Sequence, residues 1–160
     1  ANAQIEGISN KPTWKNAFEN GQTCLVPATG FFDWQYLDSK TKIPFFIFLK
    51  NSLIFSFAGI WDYCVDKTTG EKIMSFAILT TEANEFMKEI HNVKQRMPVI
   101  LSKETEGLWL KSSLTLEDSI EFLKTQAIGE MQAYKVAKDF YKMGGLSDTV
   151  LNKVEDYTLF

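Results

Sequence analysis

The stretch "EIHNVKQRMPVIL", residues 89–101, holds the single histidine and the single arginine of this 160-residue chain. Histidine titrates near neutrality, which suits His91 to proton transfer. Arg96, five positions on, offers a planar fork of donors that matches a phosphate or a carboxylate. A third group interrupts an aromatic run, for Asp33 stands inside "GFFDW", residues 30–34. A carboxylate there either faces solvent or is desolvated, and desolvation raises its pKa toward values useful in acid–base chemistry. A structural role also accounts for His91, because a helix C-terminus favours a cation.

The elements that must position these groups are legible in the periodicity. In "CLVPATGFFDWQY" Phe32, Trp34 and Tyr36 alternate onto one face, with Phe31, Asp33 and Gln35 on the other. "PFFIFLK" turns at Asn51-Ser52 into "LIFSFAGIW", two apolar runs too continuous for a half-exposed sheet, so both are expected as interior strands. "DKTTGEK" is a polar turn leading to the strand "IMSFAIL". The period then becomes helical at Ala83, Phe86, Met87 and Ile90, with Thr81 as the expected N-cap and His91 at the C-terminal end. Asn92 to Gln95 connects to the strand "MPVILS". Short helices are expected over 104–111 and 116–125, the second opened by Thr115. "MQAYKVAK" reads as a strand and "SDTVLNKV" as a short helix. The expected fold class is α+β, mainly antiparallel, with a barrel-like sheet and a few short peripheral helices in a single domain over residues 1–160.

Composition narrows the function classes. Apolar residues at 45% and aromatics at 14% describe a folded chain with a real core. No apolar run approaches the ~20 residues that cross a bilayer, so a cytoplasmic protein with no membrane partner is expected. A net charge of −3 excludes the global basic field of a strongly cationic nucleic-acid binder and leaves room for a local patch. Cys24 and Cys64 are too few for a disulfide framework and read as free thiols. One histidine and no metal-ligand spacing point to no metal and no cofactor.

Six blocks then occur in order: "NAQIE" (2–6), "CLVPATGFFDW" (24–34), "IPFFIF" (43–48), "FAGIWD" (57–62), "FAILTTEAN" (76–84) and "IH…RMPVIL" (90–101). The series resembles the SOS-response-associated peptidase (SRAP) domain family, whose blocks read approximately NARAE, RCLIPADGFYEW, KPYFI, AGLW, TILTTxAN and HxRMPVIL. The resemblance runs over about residues 2–110. It implies a DNA-damage (SOS) response protein that binds single-stranded DNA containing abasic sites. The implied reaction is a thiazolidine between an N-terminal cysteine and the ring-opened aldehyde of the abasic sugar, with a peptidase-like, autoproteolytic N-terminus (hydrolase or lyase chemistry). That cysteine follows the initiator Met in the family. This chain begins Ala1-Asn2-Ala3, so the resemblance puts the cysteine in a segment upstream of Ala1.

Carried over residue by residue, the resemblance makes Asn2 the amide that holds the terminal amine or the sugar. It makes Asp33 the proton shuttle of imine formation and His91 the group that assists sugar ring opening and crosslink reversal. Trp34 would stack on a base, Thr80 and Thr81 would contact phosphate, and Arg96 would either brace the site or meet a phosphate. Three departures are visible: Asp33 replaces a glutamate, Gln4 replaces the arginine of NARAE, and Val93, Lys94 and Gln95 lengthen the spacing from His91 to Arg96. A second reading is a noncatalytic module that binds single-stranded or modified DNA in the same cleft, and a third is a peptidase acting on proteins. A monomer is expected.

Overall fold

A computed structural model of the chain describes residues 1–111, 114–139, 142 and 148–154. In chain order the first elements are β1 (Asn2–Gln4), α1 (Pro12–Glu19), β2 (Thr23–Ala28), β3 (Phe31–Tyr36), β4 (Lys42–Leu49) and β5 (Phe55–Val65). They are followed by β6 (Lys72–Glu82), α2 (Glu85–Ile90), β7 (Arg96–Pro98), β8 (Ile100–Leu101), α3 (Lys103–Leu110), α4 (Leu116–Lys124) and β9 (Met131–Lys135). The class is α+β, with a curled half-barrel sheet and short helices. The chain resolves into two compact units. One comprises Ala1–Ala28, Ile54–Glu82 and Met97–Ile128, the other Thr29–Leu53, Ala83–Arg96 and Gly129–Phe160.

The first unit is built on the β5–β6 hairpin, antiparallel from Gly59↔Ile78 to Val65↔Lys72. Its turn follows from "DKTTG": the Asp66 carboxylate accepts from the Thr68 and Thr69 amides at 2.7 and 3.0 Å. Gly70 then closes the turn at φ 74°, a conformation in which a side chain would be strained. The sheet runs β1-β6-β5-β2, with β7 beside β6 and β8 beside β5. β1 is parallel to β6, in the register Asn2↔Ile78, Ala3↔Leu79 and Gln4↔Thr80. Phe55 to Ile60 are all buried, as the continuous apolar run predicts for an interior strand.

Ile5, Ile8, Ile60, Leu79 and Trp109 form the centre of this unit's core. Fully burying an aliphatic side chain contributes about 1.5–3 kcal/mol. Trp109 can be buried at no polar cost, because its indole N–H donates to the Cys24 carbonyl at 3.1 Å. The helices expected near 104–111 and 116–125 are α3 and α4, and Thr115 does cap the second by accepting from the Asp118 amide at 3.1 Å. The 3₁₀ turn Ile5–Asn10 and α1 were not among the expected elements, although Trp14, Ala17 and Phe18 stand at helical spacing in α1 and pack on the core.

The second unit holds a three-stranded antiparallel sheet, β3-β4-β9, with β4 in the middle. Phe32 and Trp34 pack on one face of it with Phe46, Phe48 and Tyr134. α2 belongs to this unit and ends at His91. The expected cap at Thr81 is corrected here. β6 continues through Thr81 to Glu82, and Asn84 is the N-cap, its side chain accepting from the Met87 amide at 2.9 Å. The strand "MPVILS" is split into β7 and β8 at Val99. The strand expected in "MQAYKVAK" is β9, and "SDTVLNKV" carries a 3₁₀ turn over Asp148–Leu151.

Candidate functional site

In the second unit the two scarce groups meet. Asp33 lies on β3, on the face opposite Phe32, Trp34 and Tyr36, and His91 follows the last turn of α2. The Asp33 Oδ2 is 3.5 Å from His91 Nδ1, and the two side chains are only 20% and 23% exposed. Asp33 Oδ1 accepts from the Trp34 amide at 2.8 Å. Burial raises the proton affinity of Asp33, while the Trp34 N–H and the charge of His91 restrain the rise. The net effect is a carboxyl group that holds its proton more firmly than an exposed aspartate.

His91 is oriented by the lengthened loop. Its Nδ1 lies 2.7 Å from the Arg96 carbonyl oxygen, which can only accept. Nδ1 therefore carries the hydrogen, and in the neutral ring Nε2 carries the lone pair. The loop closes because Gln95 adopts φ 49°. This lets its amide donate to the His91 carbonyl at 2.9 Å while its carbonyl accepts from Ala83 at 2.9 Å. The inserted residues thus build the turn that returns the Arg96 carbonyl to His91.

Trp34, expected to stack on a base, points to the face of β3 opposite Asp33. There it packs with Phe46 and is covered by the Lys42 ammonium, 4.9 Å from its ring centroid.

The first unit holds Asn2, Thr80 and Thr81. Asn2 is exposed on β1, level with Ile78 of β6. The Thr80 hydroxyl donates to the Ala3 carbonyl at 3.4 Å. The Thr81 hydroxyl donates to the Glu6 carboxylate at 2.8 Å, which also accepts from the Glu82 amide at 3.0 Å. Both hydroxyls are thus engaged within the unit, and Glu6, which has no local signal in the sequence, joins the end of β6 to the turn after β1. Cys24 lines an apolar groove with Trp61, Met74 and Phe76, and burial raises its thiol pKa. Cys64 is exposed. Among the described residues no three His, Cys, Asp or Glu side chains could together hold a metal ion. None of the described helices is long and apolar enough to cross a membrane.

Comparison with known proteins gives these positions a family. Residues 1–143 match the SOS response associated peptidase (SRAP) family. The chain belongs to the SRAP family. Among curated relatives, the abasic site processing protein YoaM of Bacillus subtilis is 40% identical, over 85% of this chain and 58% of its own length. The rat abasic site processing protein HMCES is 26% identical, over 69% of this chain and 37% of its own length. A crystal structure of a Bacteroides thetaiotaomicron protein superposes with a TM-score of 0.86 at 37% identity, covering 96% of this chain and 66% of that one. The chain thus spans somewhat more than half the length of YoaM.

Sequence reasoning singled out Asp33 and His91 because a carboxylate in an aromatic strand and a lone histidine are unusual. It missed Asn84, although the preference of asparagine for helix N-caps is a usable signal. It also missed Asn92 and Gln35, whose partners are backbone atoms of another element and leave no trace in a local pattern.

Proposed function

We propose that this SRAP protein processes abasic sites in single-stranded DNA, with Asp33 and His91 as its acid–base pair. The observation that carries the reading is the approach of Asp33 and His91 at two of the family's sequence blocks. The names of the curated relatives as abasic site processing proteins support the same substrate.

The reaction starts from the ring-closed sugar, whose hemiacetal opens to an aldehyde when the ring oxygen gains a proton and the anomeric hydroxyl loses one. In this reading His91 takes that hydroxyl proton on its Nε2 lone pair and returns it to the ring oxygen. An α-amine adds to the aldehyde to give a carbinolamine. Asp33 takes up the proton that the amine releases on addition and passes it to the departing hydroxyl, so that water leaves and the imine forms. Addition of a thiol on the same residue closes a thiazolidine, and the net change is the loss of one water. Asn2 would hold the amine or the sugar through its amide. Arg96 would brace the site or meet a phosphate. Trp34, Thr80 and Thr81 would contribute DNA contacts only after rearranging the bonds they make here. The nucleophile is the N-terminal cysteine of the family, since Cys24 and Cys64 carry no α-amine.

The test uses the full-length protein and an oligonucleotide with one abasic site, followed by denaturing gel and intact mass. We expect Asp33→Asn to bind DNA normally and form adduct about a hundredfold more slowly, the lower end of the usual share of one acid–base group. Asp33→Glu should retain the rate. His91→Ala should slow formation or reversal. Wild-type rates in both Asp33→Asn and His91→Ala would refute the assignment. Tight binding with no adduct in the wild type would favour a noncatalytic DNA-binding module.

A further inference from the structure

Among the described residues β3 is an edge strand, paired with β4 alone. At its end the Leu37 amide donates across the hairpin to the Thr41 carbonyl at 2.9 Å. Alternation then turns the amides of Tyr36 and Trp34 toward the open edge, where a further strand would normally satisfy them. Two side chains take that place. The Trp34 amide donates to Asp33 itself at 2.8 Å. Asn92 meets Tyr36 with both ends of its amide: its Oδ1 accepts from the Tyr36 N–H at 3.0 Å and its Nδ2 donates to the Tyr36 carbonyl at 2.7 Å. A third strap runs the other way, from Gln35 Nε2 to the Glu89 carbonyl in α2 at 2.8 Å.

We infer that Asn92 is a positioning residue, whose side-chain amide acts as a one-residue strand on the edge of β3 and holds His91 against Asp33. The geometry carries this. Asn92 is the next residue after His91, and Tyr36 lies three residues beyond Asp33 on the same strand. The paired bonds fix both the distance and the rotation between the end of α2 and β3, which a single bond would leave free to pivot. The second bearing is the Gln95 turn, which holds the other end of the loop to Ala83 at 2.9 Å. With both ends pinned, the imidazole has little freedom to leave the carboxylate. This explains how the loop can be three residues longer than the family pattern and still present His91. The inference rests on the proposed function only for its consequence in catalysis, since the positioning itself can be measured without DNA.

The experiment follows the Asp33 carboxyl by carbon-13 NMR titration in the full-length protein. Removing the imidazole with His91→Gln should raise the Asp33 midpoint in the otherwise wild-type protein, because a neighbouring positive charge is lost. In the Asn92→Ala background the same His91→Gln change should leave the midpoint where it is. Asn92 is exposed, so Asn92→Ala should fold, and Gln35→Ala serves as a second, weaker strap deletion with a partial loss of coupling. On abasic single-stranded DNA, Asn92→Ala should lower the adduct rate about tenfold with unchanged DNA affinity, as expected when a reacting group is displaced by a fraction of an ångström. Undiminished Asp33–His91 coupling in Asn92→Ala would overturn the inference while leaving the proposed function standing. Absence of coupling in the wild type would overturn both.

Discussion

Gly30 stands immediately before β3, and the structure leaves no room for a side chain there. A Cβ at this position would lie 2.3 Å from Cζ of Phe46 and 2.6 Å from the Ile47 carbonyl oxygen. Neither neighbour can yield easily. Ile47 is paired on both sides, to Phe31 and to Ala133, and the Phe46 ring is packed at 5.2 Å from Phe32 and 5.5 Å from Tyr134. Gly30→Ala should therefore push β3 off β4 rather than fit beside it. Overpacking of this kind costs about 2–3 kcal/mol, which in a chain of this size lowers Tm by about 4–12 °C. The strand carries Asp33 with it, so under the proposed function adduct formation on abasic DNA should fall by up to about a hundredfold for a displacement near 1 Å. Thermal unfolding by circular dichroism and a gel-based rate measurement check the two parts. Gly107→Ala is the control, because nothing lies within 4 Å of a Cβ there. Its position inside α3 should make alanine stabilising by about 0.8–1 kcal/mol. A Gly30→Ala protein within about 1 °C of wild type would show that β3 and β4 do not approach as closely as the steric argument requires.

Because burial raises the Asp33 pKa, the folded state binds its proton more tightly than the unfolded state. The stabilising contribution of that proton is complete at low pH and is lost as pH rises from the ordinary value of 3.8 through the raised one. Asp33→Asn keeps an acceptor for the Trp34 amide and should gain stability relative to wild type across that window, measured by urea unfolding at a series of pH values; a difference independent of pH would refute it. The two thiols should react unequally: Cys64 is exposed and should alkylate first, while Cys24, raised by burial, should lag several-fold by peptide mass spectrometry. Equal labelling rates would contradict the placement of Cys24 in its groove. Asn84→Ala should lower stability by about 1 kcal/mol through loss of the α2 N-cap, and an unchanged unfolding midpoint would contradict that cap.

The sequence by itself determined most of the local structure and the family. Alternation in "FFDWQY" put Asp33 on the face away from Trp34, the continuous runs of β4 and β5 marked strands with neighbours on both sides, and "DKTTG" encoded its own turn through one carboxylate and one glycine. These features are legible because strand alternation and turn chemistry act over a few residues. The boundary of α2 was not, since Thr81 and Asn84 are both good caps and the choice fell to how far β6 continues its pairing. The parallel placement of β1 against β6 joins residues more than seventy positions apart and has no local signal. The same holds within the second unit for the approach of Asp33 to His91. Sequence named Asp33 and His91 by their oddity, but the 3.5 Å between them and the imidazole tautomer were set by the tertiary structure. The tautomer follows from the Arg96 carbonyl brought round by the Gln95 turn, and Asn92 bonds to the backbone of Tyr36; each partner is a main-chain atom, the same for every residue type, and so leaves no mark in the order of side chains.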